Sequence, residues 1–198
     1  IPNWNDVTLN GLKKMKKLIL IRHAKSDWAG WGSSSSSESD IERPLSKRGK
    51  RACDKISDLF TRRQLRVDSV EYSPAQRATE TFDLIKDSIS FSSQKNNSEL
   101  YTFNSDKLKR IIANKSDEIN NFLLIGHNPA IEAIVIELVS ANYNLKELEI
   151  LRYKYPTGAI AFIELNILHW RDLHKNCGRL IEFVRPKDIE ISKSIQNK

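Results

Sequence analysis

Three short stretches of this 198-residue chain set basic or nucleophilic side chains directly after apolar runs. In "LILIRHAKSDW" (18–28) the run ends in Arg22, His23 and Lys25. In "VEYSPAQRATET" (70–81) it ends in Ser73, Pro74 and then Arg77, and in "NFLLIGHNP" (121–129) in His127, Asn128 and Pro129. A guanidinium fork binds two oxygens of a phosphate at once, and an imidazole nitrogen can accept a phosphoryl group covalently. Two histidines and two arginines at successive run ends are therefore the makings of an oxyanion site that contains a nucleophile. Arg43, in "ERPLSKRG" (42–49), is a third candidate arginine. Cationic neighbours disfavour the imidazolium form, so a histidine among them keeps a free lone pair near neutral pH. Guanidinium groups can carry the charge of a transferring phosphoryl group by themselves. The histidines, cysteines and carboxylates have no zinc-ligand spacing, so no metal or cofactor is expected.

The elements that must position these groups are legible as alternating patterns. Short runs rich in Ile, Leu, Val and Phe at 17–22, 67–73, 121–127, 158–165 and 179–184 read as strands, several of them apolar enough to be buried on both faces. Between them, Ala52, Ile56, Leu59 and Phe60 share a helical face, as do Ala78, Phe82, Ile85 and Ile89, and then Ile131, Ile134, Val135, Leu138 and Val139. Ser73-Pro74 and Asn128-Pro129 each set a capping residue before a proline suited to a first helical turn. Alternation of strand and helix predicts an α/β fold with a mainly parallel sheet, whose ligands bind beyond the carboxyl ends of the strands. That rule brings Arg22, His23, Ser73, Arg77 and His127 to one edge. His169 and His174 lie outside such motifs and are expected to be structural, and Arg62, Arg63 and Arg66 to form a solvated face.

Composition narrows the classes. No run of about 18 apolar residues is present, so no membrane span is expected. The N-terminus has no secretory pattern, and the two cysteines, Cys53 and Cys177, fit buried thiols in a reducing, cytoplasmic setting. Met15 is the sole methionine, so residues 1–14 are expected to be an extension or appended segment, 15–187 the domain and 188–198 a polar tail. The stretch "GWGSSSSSESD" (30–40), with its run Ser33–Ser37, reads as a mobile surface loop, with a role in shaping access to the site as the alternative because it directly follows the first motif. A net charge of +7 attracts a phosphorylated or acidic partner. Nucleic acid is not expected, because no aromatic-basic repeat accompanies the charge. A monomer is expected.

Five segments, "LILIRHAKSD", "RPLSKRG", "SPAQRATET", "LLIGHNP" and "YPTGAIAFIEL", occur in the order found in the histidine phosphatase superfamily, and the chain resembles its branch of small phosphohistidine phosphatases similar to SixA. The resemblance runs from Lys16 to Lys187. It implies a three-layer α/β/α sandwich of the phosphoglycerate mutase-like kind and a cofactor-free, two-step phosphoryl transfer. His23 then looks like the nucleophile that becomes phosphorylated. Arg22 and Arg77 look like the phosphate clamp, Arg43 like a further arginine of this branch, and His127 like the second pocket histidine. The resemblance implies a histidine-containing phosphoprotein or a small phosphorylated molecule as substrate.

One departure bears on that substrate. Where many phosphomonoesterase and mutase members carry a glutamate acid, this chain has Thr102 in "SELYTFNSD". Asp27 and Glu99 are the candidate proton donors in its place, with Asp106 further off. An alkoxide leaving group needs a well-placed acid, whereas an imidazole, with a pKa of about 6.5, needs far less help. The gap therefore favours phosphohistidine-like substrates. The competing readings are a broad small-molecule phosphomonoesterase and a non-catalytic phosphoryl-binding regulatory module.

Overall fold

A computed structural model describes residues 15–29, 39–139 and 155–190. The expected extension (1–14), the serine run (33–37) and residues 191–198 of the expected tail lie outside the described residues.

Six strands form one sheet: β1 (Lys16–Arg22), β2 (Arg66–Tyr72), β3 (Ser90–Asn96), β4 (Asn121–Gly126), β5 (Ile160–Leu165) and β6 (Gly178–Val184). Their order is β3-β2-β4-β1-β5-β6. The β2–β3, β2–β4 and β1–β4 pairs are parallel, while β5 runs antiparallel to both β1 and β6. The sheet is thus mainly parallel, as expected, with β5 the one reversed strand.

Among the described residues four α-helices cover it: α1 (Lys47–Arg63), α2 (Gln76–Ile85), α3 (Ser105–Ala113) and α4 (Ala130–Leu138). Strand side chains alternate between two apolar layers. Ile19 and Ile21 of β1 meet Ile56 and Phe60 of α1 and Phe82 of α2, whereas Leu18 and Leu20 meet Ile112 of α3 and Ile134 of α4. The chain winds outward from β1 to β3 and then returns to β4. Right-handed crossovers in opposite directions place their helices on opposite faces, which gives the α/β/α sandwich.

Several expectations need correction. The helix predicted through Ile89 stops at Ile85, and a 3₁₀ turn (Lys86–Ser88) leads into β3. Ile89 is buried all the same. Neither Ser73 nor Asn128 caps a helix: the N-caps are Ala75 and Pro129, without side-chain capping bonds, and the Asn128–Pro129 peptide is cis. Arg63 is no solvated residue, because its guanidinium grips both oxygens of Glu182 at 2.7 and 2.9 Å. His169 does sit on the surface, against Asp117, and both cysteines are buried free thiols.

Candidate active site

Three adjacent parallel strands end in step. The last paired residues are Arg22 with Gly126 and Tyr72 with Ile125. One residue further on, His23 N–H donates to the Gly126 carbonyl at 3.0 Å and Ser73 N–H to the Ile125 carbonyl at 3.1 Å. His23, Ser73 and His127 therefore leave the sheet side by side. Because β5 is reversed, its amino end enters at this same edge and brings Tyr155–Gly158 with it. Gly158 N–H donates to the carbonyls of Arg22 (3.0 Å) and His23 (3.1 Å). The position demands glycine: φ is +77°, and a Cβ there would lie 2.8 Å from Pro186 Cγ.

From the other side, α1 presses on the loop after β1. Ser46 caps the helix by accepting from Gly49 N–H at 3.1 Å, and its own backbone N–H and hydroxyl both donate to the Lys25 carbonyl at 2.9 Å. Gly49 allows this approach, since a Cβ would fall 2.1 Å from that carbonyl oxygen.

Within this frame His23 Nδ1–H donates to the Ala24 carbonyl at 2.8 Å, which fixes the ring and leaves Nε2 with its lone pair. Arg77 Nε–H donates to that lone pair at 3.3 Å. The His23 and His127 ring centroids are 5.1 Å apart. His127 Nε2 lies 2.7 Å from the Ser73 hydroxyl, which already accepts from Ala75 N–H. With the hydroxyl proton given to Nε2, the proton of a neutral His127 would stand on Nδ1. Arg22 sends one Nη1–H to the Tyr155 carbonyl at 2.6 Å. His23, Arg43, Arg77 and His127 are all less than a tenth exposed.

The electrostatics follow from that burial. Burial, then the neighbouring His127 and the positive charges of Arg77 and Arg22, push His23 well below its usual pKa. Burial and then Arg77 lower His127 to about 3. Both imidazoles are neutral at pH 7. Burial also pulls Arg22 below the ordinary arginine value. Three buried side-chain atoms lack a hydrogen-bond partner among the described residues: Arg22 Nε, His127 Nδ1 and Asn128 Oδ1. All three belong to this cluster; Arg22 Nε is a donor, and buried donors without acceptors are uncommon in folded proteins.

The expected set Arg22, His23, Arg77, His127 and Arg43 is thus brought together, Arg43 through Ser26 and Asp40. Asp27 and Glu99 are not part of it. An Asp27 carboxylate oxygen accepts from Ala29 N–H, while Glu99 is exposed and offers its backbone N–H to Asn97. Thr102 is buried and accepts from Asn104 N–H.

Two residues were missed from sequence. Asp40 lay in the polar stretch read as a surface loop, yet its carboxylate takes hydrogen bonds from Arg43, Arg77 and Tyr101. Its spacing of three from Arg43 was the visible signal. Tyr101 also sets its ring edge-on to His127 at 5.4 Å. Trp28 stands at the rim, 58% exposed, with the Arg43 guanidinium 3.8 Å above its ring.

Residues 18–101 match the model of the histidine phosphatase superfamily (branch 1). The Agrobacterium tumefaciens structure assigned as phosphohistidine phosphatase SixA has a TM-score of 0.67 at 25% identity, covering 86% of this chain and 98% of that one. A Nakamurella structure of the same assignment gives 0.69 at 26% identity, over 87% and 96%. Together these likenesses support the histidine phosphatase superfamily, and within it the SixA-like branch. An uncharacterized Mycobacterium tuberculosis protein is 28% identical over 168 residues, 84% of this chain and all of that protein. The same likenesses support phosphatase activity.

Proposed function

We propose that this superfamily member hydrolyses phosphohistidine, or another labile phosphoryl compound, through a phosphorylated His23. The observation that carries the reading is the state of His23: a buried, neutral imidazole whose Nε2 lone pair is turned to Arg77 Nε–H, with His127 and Arg22 beside it. In the first step Nε2 forms a bond to phosphorus as the bond to the leaving group breaks. The leaving group departs with the electron pair and takes a proton from solvent. In the second, water attacks phosphorus, the P–Nε2 bond breaks, and its electron pair returns to Nε2 as phosphate leaves. Arg22, Arg43 and Arg77 hold the phosphoryl oxygens, and the unpaired Nδ1–H of His127 donates to them as charge builds.

The leaving group decides the substrate class. The two candidate acids, Asp27 and Glu99, make no bond to the cluster. The carboxylate that does, Asp40, is held ionised by Arg43, Tyr101 and Arg77, so among the described residues no protonated acid stands ready for an alkoxide. Imidazole departs without one. This supports a phosphorylated, histidine-containing protein as partner over sugar or glycerate phosphates.

The test offers purified protein a histidine-phosphorylated protein and p-nitrophenyl phosphate side by side. Faster turnover of the former, and an acid-labile phosphoryl group on the wild type that His23→Ala cannot form, are expected. Unchanged hydrolysis by His23→Ala would overturn the mechanism. Efficient ester cleavage that depends on Asp27 or Glu99 would overturn the substrate class.

A further inference from the structure

Two of the three arginines that would hold an incoming phosphoryl group, Arg43 and Arg77, are already engaged by an anion of the chain itself. Asp40 Oδ1 accepts from Arg43 Nε at 3.0 Å and Nη2 at 2.8 Å. Its Oδ2 accepts from Arg77 Nη2 at 3.0 Å and the Tyr101 hydroxyl at 2.9 Å, and its backbone carbonyl accepts from Arg77 Nη1 at 2.7 Å. Four donors fill the lone-pair directions of the carboxylate, much as they would surround one face of a phosphate. Asp40 is the only carboxylate in ion-pair contact with either arginine among the described residues.

The two partners of this arrangement are unequally anchored. The Arg77 and Arg43 side chains are 2% and 7% exposed and belong to the scaffold, whereas that of Asp40 is 48% exposed. Asp40 stands on a three-residue 3₁₀ turn (Asp40–Glu42) outside the sheet. If one member yields, it is Asp40. A second consequence concerns the nucleophile. With Asp40 holding its Nη1 and Nη2, Arg77 is fixed with Nε–H on the His23 lone pair. A lone pair so engaged cannot attack phosphorus.

We propose that Asp40 is a built-in anion that closes the empty site: it holds Arg43 and Arg77 until a phosphoryl group takes its place, and its departure frees His23 for attack. The inference rests on the phosphatase reading and adds its regulation. Phosphoryl binding becomes an exchange of one anion for another, so free phosphate, which brings no binding energy from a leaving group, displaces Asp40 poorly.

The experiment measures binding of inorganic phosphate to the whole chain by calorimetry, at pH 7.5 and fixed ionic strength, alongside hydrolytic activity. Asp40→Asn keeps the size and one acceptor oxygen but removes the charge. Phosphate affinity is expected to rise about tenfold, the change for lifting one like charge from beside a dianion in a wet site. Tyr101→Phe removes one donor from Oδ2 and is expected to raise affinity by a smaller factor, about twofold. It carries the test should the first variant fold poorly. If Asp40 merely props the arginines in place, Asp40→Asn weakens phosphate binding. Weaker or unchanged binding in both variants, with wild-type hydrolysis intact, overturns the exchange and leaves the phosphatase reading standing. Absence of both phosphate binding and hydrolysis in the wild type overturns the two together.

Discussion

Burying two neutral histidines should make this protein acid-sensitive in a pH window where few other groups titrate. His127 is 2% exposed, and burial followed by the charge of Arg77 lowers it to about 3, against an unfolded value near 6.5. Between those two values the unfolded chain binds a proton at this ring and the folded chain does not, so stability is lost as pH falls. At pH 5 the unfolded imidazole is about 1.5 units below its pKa, which corresponds to a loss of about 2 kcal/mol relative to pH 7.5. His23 is shifted in the same direction and adds to the slope. Asp40, whose burial is outweighed by hydrogen bonds from Arg43 and Tyr101, is held below its usual carboxylate value and stays ionised through this window. Urea unfolding followed by tryptophan fluorescence at pH 7.5, 6.5 and 5.0 reads the effect. His127→Gln removes the titrating ring, so wild type minus variant isolates its share, expected at about 2 kcal/mol between pH 7.5 and 5. Equal pH dependence in the two proteins would refute the buried, neutral ring. A plateau in wild-type hydrolysis persisting well below pH 6.5 is the matching kinetic result for His23.

Two substitutions test how the scaffold holds the site. Gly49→Ala places a methyl 2.1 Å from the Lys25 carbonyl oxygen, so the segment carrying Ala24 and Ser26 must shift. A stability loss of about 1–3 kcal/mol by chemical denaturation, with hydrolysis falling more than phosphate binding, is expected; wild-type behaviour would show that α1 does not set the loop. Ser73→Ala takes the partner from His127 Nε2 and leaves both ring nitrogens unpaired. A loss of about 1–3 kcal/mol is expected, with reduced turnover because nothing then keeps the proton on Nδ1; unchanged kcat would remove Ser73 from any positioning role.

How legible the molecule was depended on which signal each part carries. Strands β1 and β4 are continuous apolar runs buried on both faces, and period and composition both announce them. Strand β3, "SFSSQKN", is an edge strand with nearly every side chain exposed. It has no apolar face to show, and only backbone pairing with β2 makes it a strand. Ile89 was read correctly as buried but wrongly as helical, because spacing reports the side a residue faces and not the turn that brings it there. Helix α3 was overlooked although Asn104 accepts from Lys107 N–H and Leu108, Ile111 and Ile112 share its face. The reversal of β5 had no signal in its own apolar run. Asp40 was hidden because a carboxylate in a serine-rich stretch reads as solvated until the two arginines it serves are placed.

The failed cap assignments are informative in a different way. Ser73 and Asn128 have the residue types of helix caps, and each precedes a proline. In the structure the Ser73 hydroxyl is bonded to His127, and the Asn128 amide donates to Glu132 at 2.8 Å. Helices α2 and α4 therefore begin without side-chain caps, a loss of about 1 kcal/mol each by the usual measure of capping. Arg22 Nε, His127 Nδ1 and Asn128 Oδ1 are left without partners at the same edge. At Ser73 the hydroxyl serves the pocket histidine in place of a helix cap, whereas the Asn128 amide turns to Glu132 in the first turn of α4. Arg22 Nε is a donor in the same cluster as two neutral imidazoles, so the group that would satisfy it is a hydrogen-bond acceptor. An anionic one fits the guanidinium best, which is what the proposed phosphoryl substrate would supply.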